Sequence, residues 1–259
     1  MITTQALNLI ISNPLEQFEI KEFIFFGSPL LGMKLSLTNL GFYLILVTVL
    51  IFGMSFLATN NYKVIANRWS ITQESLYGSI YSMVNSSIGP KGEVFIPFIY
   101  SLFIYILMSN LIGLIPYSFT PTSQVITCLG FSVTILLGVT ILGFQIHGLH
   151  FLGFFVPSGT PLGLVPVLVV IEFISYLARS VSLGVRLFAN MVAGHVLLKI
   201  ISTFSWKFIV SGTIGLVLGI LPLIFIVLLY GLEIGVALIQ GYVFAMLTCS
   251  YINDAINMH

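Results

Sequence analysis

The sequence predicts an all-α multi-pass membrane protein. It should have about five membrane helices and one amphipathic surface helix, with the last two membrane helices forming a long tilted hairpin. Three observations lead there. Apolar residues make up 58% of the 259-residue chain and charged residues 7%, whereas about a quarter of an ordinary soluble domain is charged. Several apolar runs reach the ~20 residues that cross a hydrocarbon core. Beyond Leu162 the chain is two runs too long for ordinary spans, 162–202 and 208–250. The net charge of +1 gives no support to a nucleic-acid partner. Cys128 and Cys249 lie singly in apolar runs and read as buried thiols, not as a ligand set. The opening MITTQALNLI lacks a basic stretch, so a cleaved secretory signal is not expected.

The whole chain reads as one membrane domain. Residues 1–36 mix Glu16, Glu19, Lys21, Glu22 and Lys34 with apolar residues and belong at the interface or in water. A first span covers 37–57, and TNNYK then returns the chain to water. Residues 68–88 carry Trp69, Leu76, Ile80 and Val84 at spacings of seven and four, with polar residues between them. That pattern predicts an amphipathic helix on the membrane surface, with Ser70-Ile-Thr-Gln73 as a capping box. A soluble helix covering the bundle is the plainer alternative. Gly89-Pro-Lys-Gly reads as a loop. Spans at 94–115 and 125–146 are separated by YSFTPTSQ, short enough to make them an antiparallel hairpin. The Gly- and Pro-rich stretch 147–163 reads as an interfacial loop; His147 and His150 have no further ligand nearby to hold a metal.

One helix over 162–202 would be ~60 Å long, about twice a hydrocarbon core. No Pro-Gly or Asn-Gly break lies inside 167–202, so two long tilted helices are favoured over four short ones, with their turn near Gly212-Thr213. Lys63, Arg68 and Lys91 outnumber Lys199 and Lys207, which places the N-terminus outside and the C-terminus inside.

The stretch Ile171–His195 carries Glu172, Arg179, Arg186, Asn190 and His195 inside a membrane-grade run. Each charge there costs ~2.5–3.5 kcal/mol on insertion scales, so such groups face a bundle interior, a water path or a partner. Glu172, Arg179 and Arg186 are spaced seven apart and share a helix face. Arginine stays protonated in almost any surroundings, so Arg186 at mid-depth suits a barrier between water paths, not a proton carrier. The second long run carries Glu233, Gln240 and Asp254. An antiparallel register summing to 426 pairs Arg186 with Gln240 and Glu172 with Asp254, and brings His195 near the level of Glu233. Bland readings stand beside these. Glu172 and Arg179 can simply fix helix register. His195, Asn190 and Gln240 can be interhelical glue, Asp254 can be solvated, and Gly215/Gly219 and Gly231/Gly235 can be close packing sites.

SLGVRLFANMVAGH at 182–195 and LEIGVALIQGYVFAMLTCSYI at 232–252 strongly resemble subunit a of the F-type ATP synthase. SNPLEQFEI, NLIGLIPYSF and FVPSGTPLGLVPVLVVIE extend the likeness over most of the chain, toward the mitochondrially encoded fungal form. The resemblance implies a proton-conducting stator with two offset half-channels against a rotor ring of carboxylate-bearing c-type subunits. It implies that Arg186 meets the ring carboxylate with Gln240 beside it, and that Asn190 lies on the ring-facing helix. It assigns His195 and Glu233 to the outer half-channel, and Glu172 and Asp254 to the inner one with Arg179 near it. Implied partners are the ring, the peripheral stalk, other membrane subunits, lipid and protons. The implied location is the mitochondrial inner membrane, with the N-terminus toward the intermembrane space and the C-terminus toward the matrix. No cofactor or metal is expected, and no P-loop glycine run is present, so ATP chemistry belongs to the assembled complex. A secondary transporter could also bury Arg and Glu, but no inverted repeat is evident. A pure scaffold would need no lone arginine at mid-depth.

Overall fold

The computed structural model describes residues 14–26, 35–59, 67–115, 118–156, 164–211 and 213–257. The expected water-side break around Lys63, the stop at Pro116, residues 157–163 of the expected 147–163 loop and the turn residue Gly212 lie outside them. The fold class is that of an all-α multi-pass membrane protein. Its helices are α1 (Asn39–Ala58), α2 (Arg68–Ser87), α3 (Ile96–Gly113), α4 (Val125–His147), α5 (Val165–Val210) and α6 (Thr213–Ile256). All but α2 contribute to five segments long and apolar enough to cross a membrane. The last two helices run 46 and 44 residues without a break, and α6 continues through Pro222. Membrane helices tolerate an internal proline because neighbouring groups re-satisfy the freed backbone.

By their packing the described residues form two compact units. One draws on 1–48, 107–124 and 188–239, the other on 49–106, 125–187 and 240–259.

In the first unit the described part of the N-terminal segment carries regular secondary structure. A 3-10 turn, Pro14–Phe18, is followed by a two-stranded antiparallel hairpin, β1 (Glu22–Phe26) and β2 (Leu35–Thr38). The first span accordingly starts at Asn39, not at Leu37. Asn39 secures that start: its Oδ1 accepts from Leu40 N–H at 2.8 Å and its Nδ2 donates to the Glu19 carbonyl at 3.0 Å. The core of this unit joins Leu114, Met191 and Ala237, with Leu111 and Ile234 against them. Gly215 and Gly219 are true close-packing positions, since an added Cβ at Gly219 would stand 2.7 Å from Ile209 Cγ1. Gly231 and Gly235 are not, having nothing within 4 Å.

In the second unit α2 buries Ile80, Met83 and Val84 and exposes Trp69, Ile71, Tyr77 and Tyr81. Exposed rings of this kind suit a membrane–water boundary. Its N-cap is Asn67, whose side chain accepts from Arg68 N–H at 2.8 Å. The capping box expected at Ser70 is therefore inside the helix. Asn67 won because an Asx oxygen one residue ahead already serves a free N–H. Tyr81 donates to Glu93 Oε1 at 3.2 Å, and that carboxylate pushes the phenol's pKa up. The expected Gly-Pro-Lys-Gly loop is a 3-10 turn, Pro90–Phe95, entered through Gly89 at φ +79° and feeding straight into α3. Likewise α4 passes through Gly148, at φ +58°, into a 3-10 helix over Gly148–Phe155 where an open loop was expected. Gly143 makes room for the Phe151 ring of that turn. Three turns earlier on the same face of α4, Ser180 Oγ of α5 donates to the Ser132 carbonyl at 2.8 Å, and Gly184 lies against Ser132 and the Cys128 carbonyl. This small-residue seam is what lets α5 approach α4 so closely.

Candidate functional site

The polar residues of α5 and α6 gather into two clusters, one in each unit. In the first unit His195 Nδ1 lies 3.7 Å from Glu233 Oε1, with their side chains 16% and 6% exposed. A carboxylate this deep is costly unless paired or protonated, and the imidazole is the partner on offer. Neither Glu233 oxygen has a hydrogen bond among the described residues. Gly194 permits the approach, because a Cβ there would stand 2.6 Å from Glu233 Oε1. The far side of the ring is held too. Thr120 Oγ1 is 3.2 Å from His195 Nε2, and Phe18 presents its ring at 6.2 Å in an edge arrangement. Phe18 is itself anchored by Gln124 Nε2, which donates to its carbonyl at 2.6 Å. So the N-terminal turn, expected at the interface or in water, contributes a wall of this cluster.

Behind it runs a polar ladder that sequence reading passed over. Thr122 Oγ1 donates to Asn110 Oδ1 at 2.9 Å, and Asn110 Nδ2 donates to the Ala237 carbonyl of α6 at 3.4 Å. Tyr230 O–H donates to the Leu114 carbonyl at 3.1 Å. A signal existed: Asn110 is a lone amide in an otherwise apolar span, and an amide in hydrocarbon needs a partner.

In the second unit one guanidinium serves two acids. Arg179 Nη2 lies 3.4 Å from Glu172 Oε1, and its Nη1 lies 3.6 Å from Asp254 Oδ2. Tyr251 O–H donates to the Arg179 carbonyl at 3.3 Å. Glu172 and Asp254, on different helices, are thereby brought to one guanidinium. A small cavity lined by Leu136, Val139, Tyr176, Arg179 and Tyr251 opens beside them. Gln240, in the same unit, is buried.

Arg186 stands apart. It is exposed, and among the described residues no ion pair includes it. Leu183 and Leu187 beside it are buried, so α5 turns an apolar face inward and Arg186 outward. Asn190, one turn on, is also exposed. No group of three or more His, Cys, Asp or Glu side chains fit to hold a metal occurs among the described residues.

A family model described as ATP synthase A chain matches residues 41–253. The chain belongs to the ATP synthase A chain family. Its similarity to curated relatives covers nearly all of both chains. The ATP synthase subunit a of Podospora anserina is 52% identical over 250 residues, covering 96% of this chain and 95% of that protein. That of Trichophyton rubrum is 53% identical over 253 residues, 97% and 99% of the two chains. That of Chondrus crispus is 42% identical over 252 residues, with the same coverage. As a member of the ATP synthase A chain family, the protein is a proton-translocating membrane-sector subunit, one component of a larger complex.

Proposed function

We propose that this chain is the stator that guides protons to and from a rotating ring of carboxylate-bearing subunits, through two half-channels that do not meet. The observation that carries this reading is that Arg186 enters no ion pair among the described residues. It is an exposed cation on a membrane helix, while every other ionisable residue named for that site on α5 and α6 has a partner from its own chain. A fixed positive charge in a low-dielectric setting draws in an acid from a partner and favours its ionised form. Asn190 on the same helix and Gln240 on α6 are assigned to the neighbourhood of that encounter.

The outer half-channel is assigned to His195 and Glu233. A proton arriving there neutralises a ring carboxylate, which can then turn through lipid at little cost. The inner half-channel is assigned to Glu172 and Asp254, which Arg179 holds side by side. Arg186 blocks a direct leak between the two, and each proton gains ~2.3 kcal/mol per 100 mV from the membrane potential. The likeness to fungal relatives supports a mitochondrial inner membrane setting, with the N-terminus toward the intermembrane space. The peripheral stalk and other membrane subunits complete the partners.

The test is Arg186→Ala in the assembled complex, reading ATP synthesis and passive proton flux separately. The proposal expects synthesis to vanish while an uncoupled leak appears. Full coupled synthesis by the variant ends the proposal.

A further inference from the structure

We propose that Thr120 is a positioning residue that keeps the His195 ring turned with Nδ1 toward Glu233, whichever ring nitrogen carries the hydrogen. The inference rests on the reading of His195 and Glu233 as carriers of entering protons.

The geometry has three parts. Thr120 is 2% exposed, and its Oγ1 lies 3.2 Å from His195 Nε2. The same hydroxyl lies 3.4 Å from the Gly113 carbonyl. On the opposite edge of the ring, Nδ1 lies 3.7 Å from Glu233 Oε1. A hydroxyl has one hydrogen to give and lone pairs to receive with. When Nε2 is bare, Thr120 donates to it. When Nε2 carries a hydrogen, Thr120 accepts it and turns its own hydrogen to the Gly113 carbonyl. Either tautomer is served without rotating the ring.

The consequence is for Nδ1. With Nε2–H held by Thr120, the Nδ1 lone pair faces Glu233. Transfer then breaks the O–H bond of the protonated Glu233 and forms an N–H bond at Nδ1, leaving a carboxylate beside an imidazolium. The reverse step restores both groups, and no other reactant is needed. The imidazolium still has an acceptor on each side, Thr120 and Glu233.

Thr120 is itself immobilised. Ser123 N–H and Ser123 Oγ both donate to the Thr120 carbonyl, at 3.0 and 2.6 Å. Gly113 is the other half of the fit, since a Cβ there would stand 2.5 Å from Thr120 Oγ1. Glu233 from α6, Thr120 from the α3–α4 connection and Phe18 from the N-terminal turn face the ring. Of these only Glu233 titrates, and on the ring's own helix Lys199 follows one turn later.

The experiment compares Thr120→Val and Thr120→Ser in the assembled complex in sealed vesicles, measuring potential-driven proton flux per complex against entry-side pH. Thr120→Val should lose roughly fivefold in flux, the worth of one hydrogen bond. Its half-maximal flux should move about half a unit to lower pH, because an imidazolium loses more than a neutral ring when an acceptor is removed. Thr120→Ser should restore both. A wild-type pH profile in Thr120→Val overturns the proposal, as does a serine variant that behaves like the valine. If valine prevents assembly, Gly113→Ala displaces the hydroxyl from behind and should give the same shift toward acid; an unshifted profile again overturns it. His195→Gln and Glu233→Gln run alongside. Wild-type flux in either ends the underlying half-channel reading and this proposal with it, whereas loss in both with Thr120→Val unaffected ends this proposal alone.

Discussion

Gly194→Ala puts a methyl group where the Glu233 carboxylate now rests. The added Cβ would stand 2.6 Å from Oε1, 3.0 Å from Cδ and 3.3 Å from Cγ. Comfortable non-bonded contact begins near ~3.5 Å, so the carboxylate must withdraw by about half to one ångström. Glu233 is only 5% exposed, which leaves it little room to do so without changing its 3.7 Å approach to His195 Nδ1. Displacing a positioned reacting group by ~1 Å can cost about 10²-fold. Proton flux per complex should therefore fall by about 10- to 100-fold. Stability should change far less, because overpacking at ~1–3 kcal/mol is partly offset by the ~1 kcal/mol that alanine gains over glycine in a helix. Adding Glu233→Asp shortens the acid by one methylene and should recover part of the flux in the double variant. The assay is potential-driven proton uptake by vesicles carrying quantified complex, with assembly read by native electrophoresis. Wild-type flux in Gly194→Ala would refute the reasoning, and so would an aspartate that deepens the defect.

Two further outcomes test the second unit. Gly184→Ala should destabilise by ~1–3 kcal/mol, because its Cβ would meet the Cys128 carbonyl at 2.8 Å and Ser132 Oγ at 2.7 Å, and a carbonyl cannot swing aside. Gly138→Ala in the same helix pair has nothing within 4 Å and should be neutral or gain up to ~1 kcal/mol; equal midpoints in thermal unfolding would contradict this. Arg179→Lys keeps the charge but loses the fork that reaches two acids at once. With side chains 30–40% exposed, solvent screening limits its cost to about 0.5–1 kcal/mol. Arg179→Gln should cost more, and the gap between the two should shrink in 1 M salt; a salt-independent gap would count against an electrostatic role.

The number of spans, the over-long final hairpin and the polar residues on it were legible because each depends on local composition. A membrane-length apolar run announces itself, and an ionisable residue inside one stands out against it. What could not be read was set by contacts far apart in sequence. The hairpin register is approximate: His195 meets Glu233, near whose level it was expected, two positions further along α6 than a strict sum of 426 gives, and Ser205 meets Gly219 two positions short. Phe18, Thr120 and Asn110 matter through elements that return from elsewhere in the chain, so no window around them reveals their partners. The β-hairpin was hidden for another reason. Its two strands are short, and 4–5 residues of EFIFF or LSLT do not distinguish strand from the edge of a helix.

The spacing of seven along α5 deserves one correction from geometry. Seven residues fall ~20° short of two full helical turns. Glu172, Arg179 and Arg186 are thus a stripe that slips, and Arg186 is rotated by ~40° from Glu172. That slip alone does not separate them; the acids of α6 do. Asp254 lies where Arg179 can reach it, and Glu233 lies where His195 can. Between these two acids α6 supplies Gln240, which carries no charge. Among the described residues Arg186 enters no ion pair, so on the proposed reading it is not retained to hold this chain together. The proposal supplies its counter-charge from another molecule, arriving and leaving as a ring of carboxylates passes.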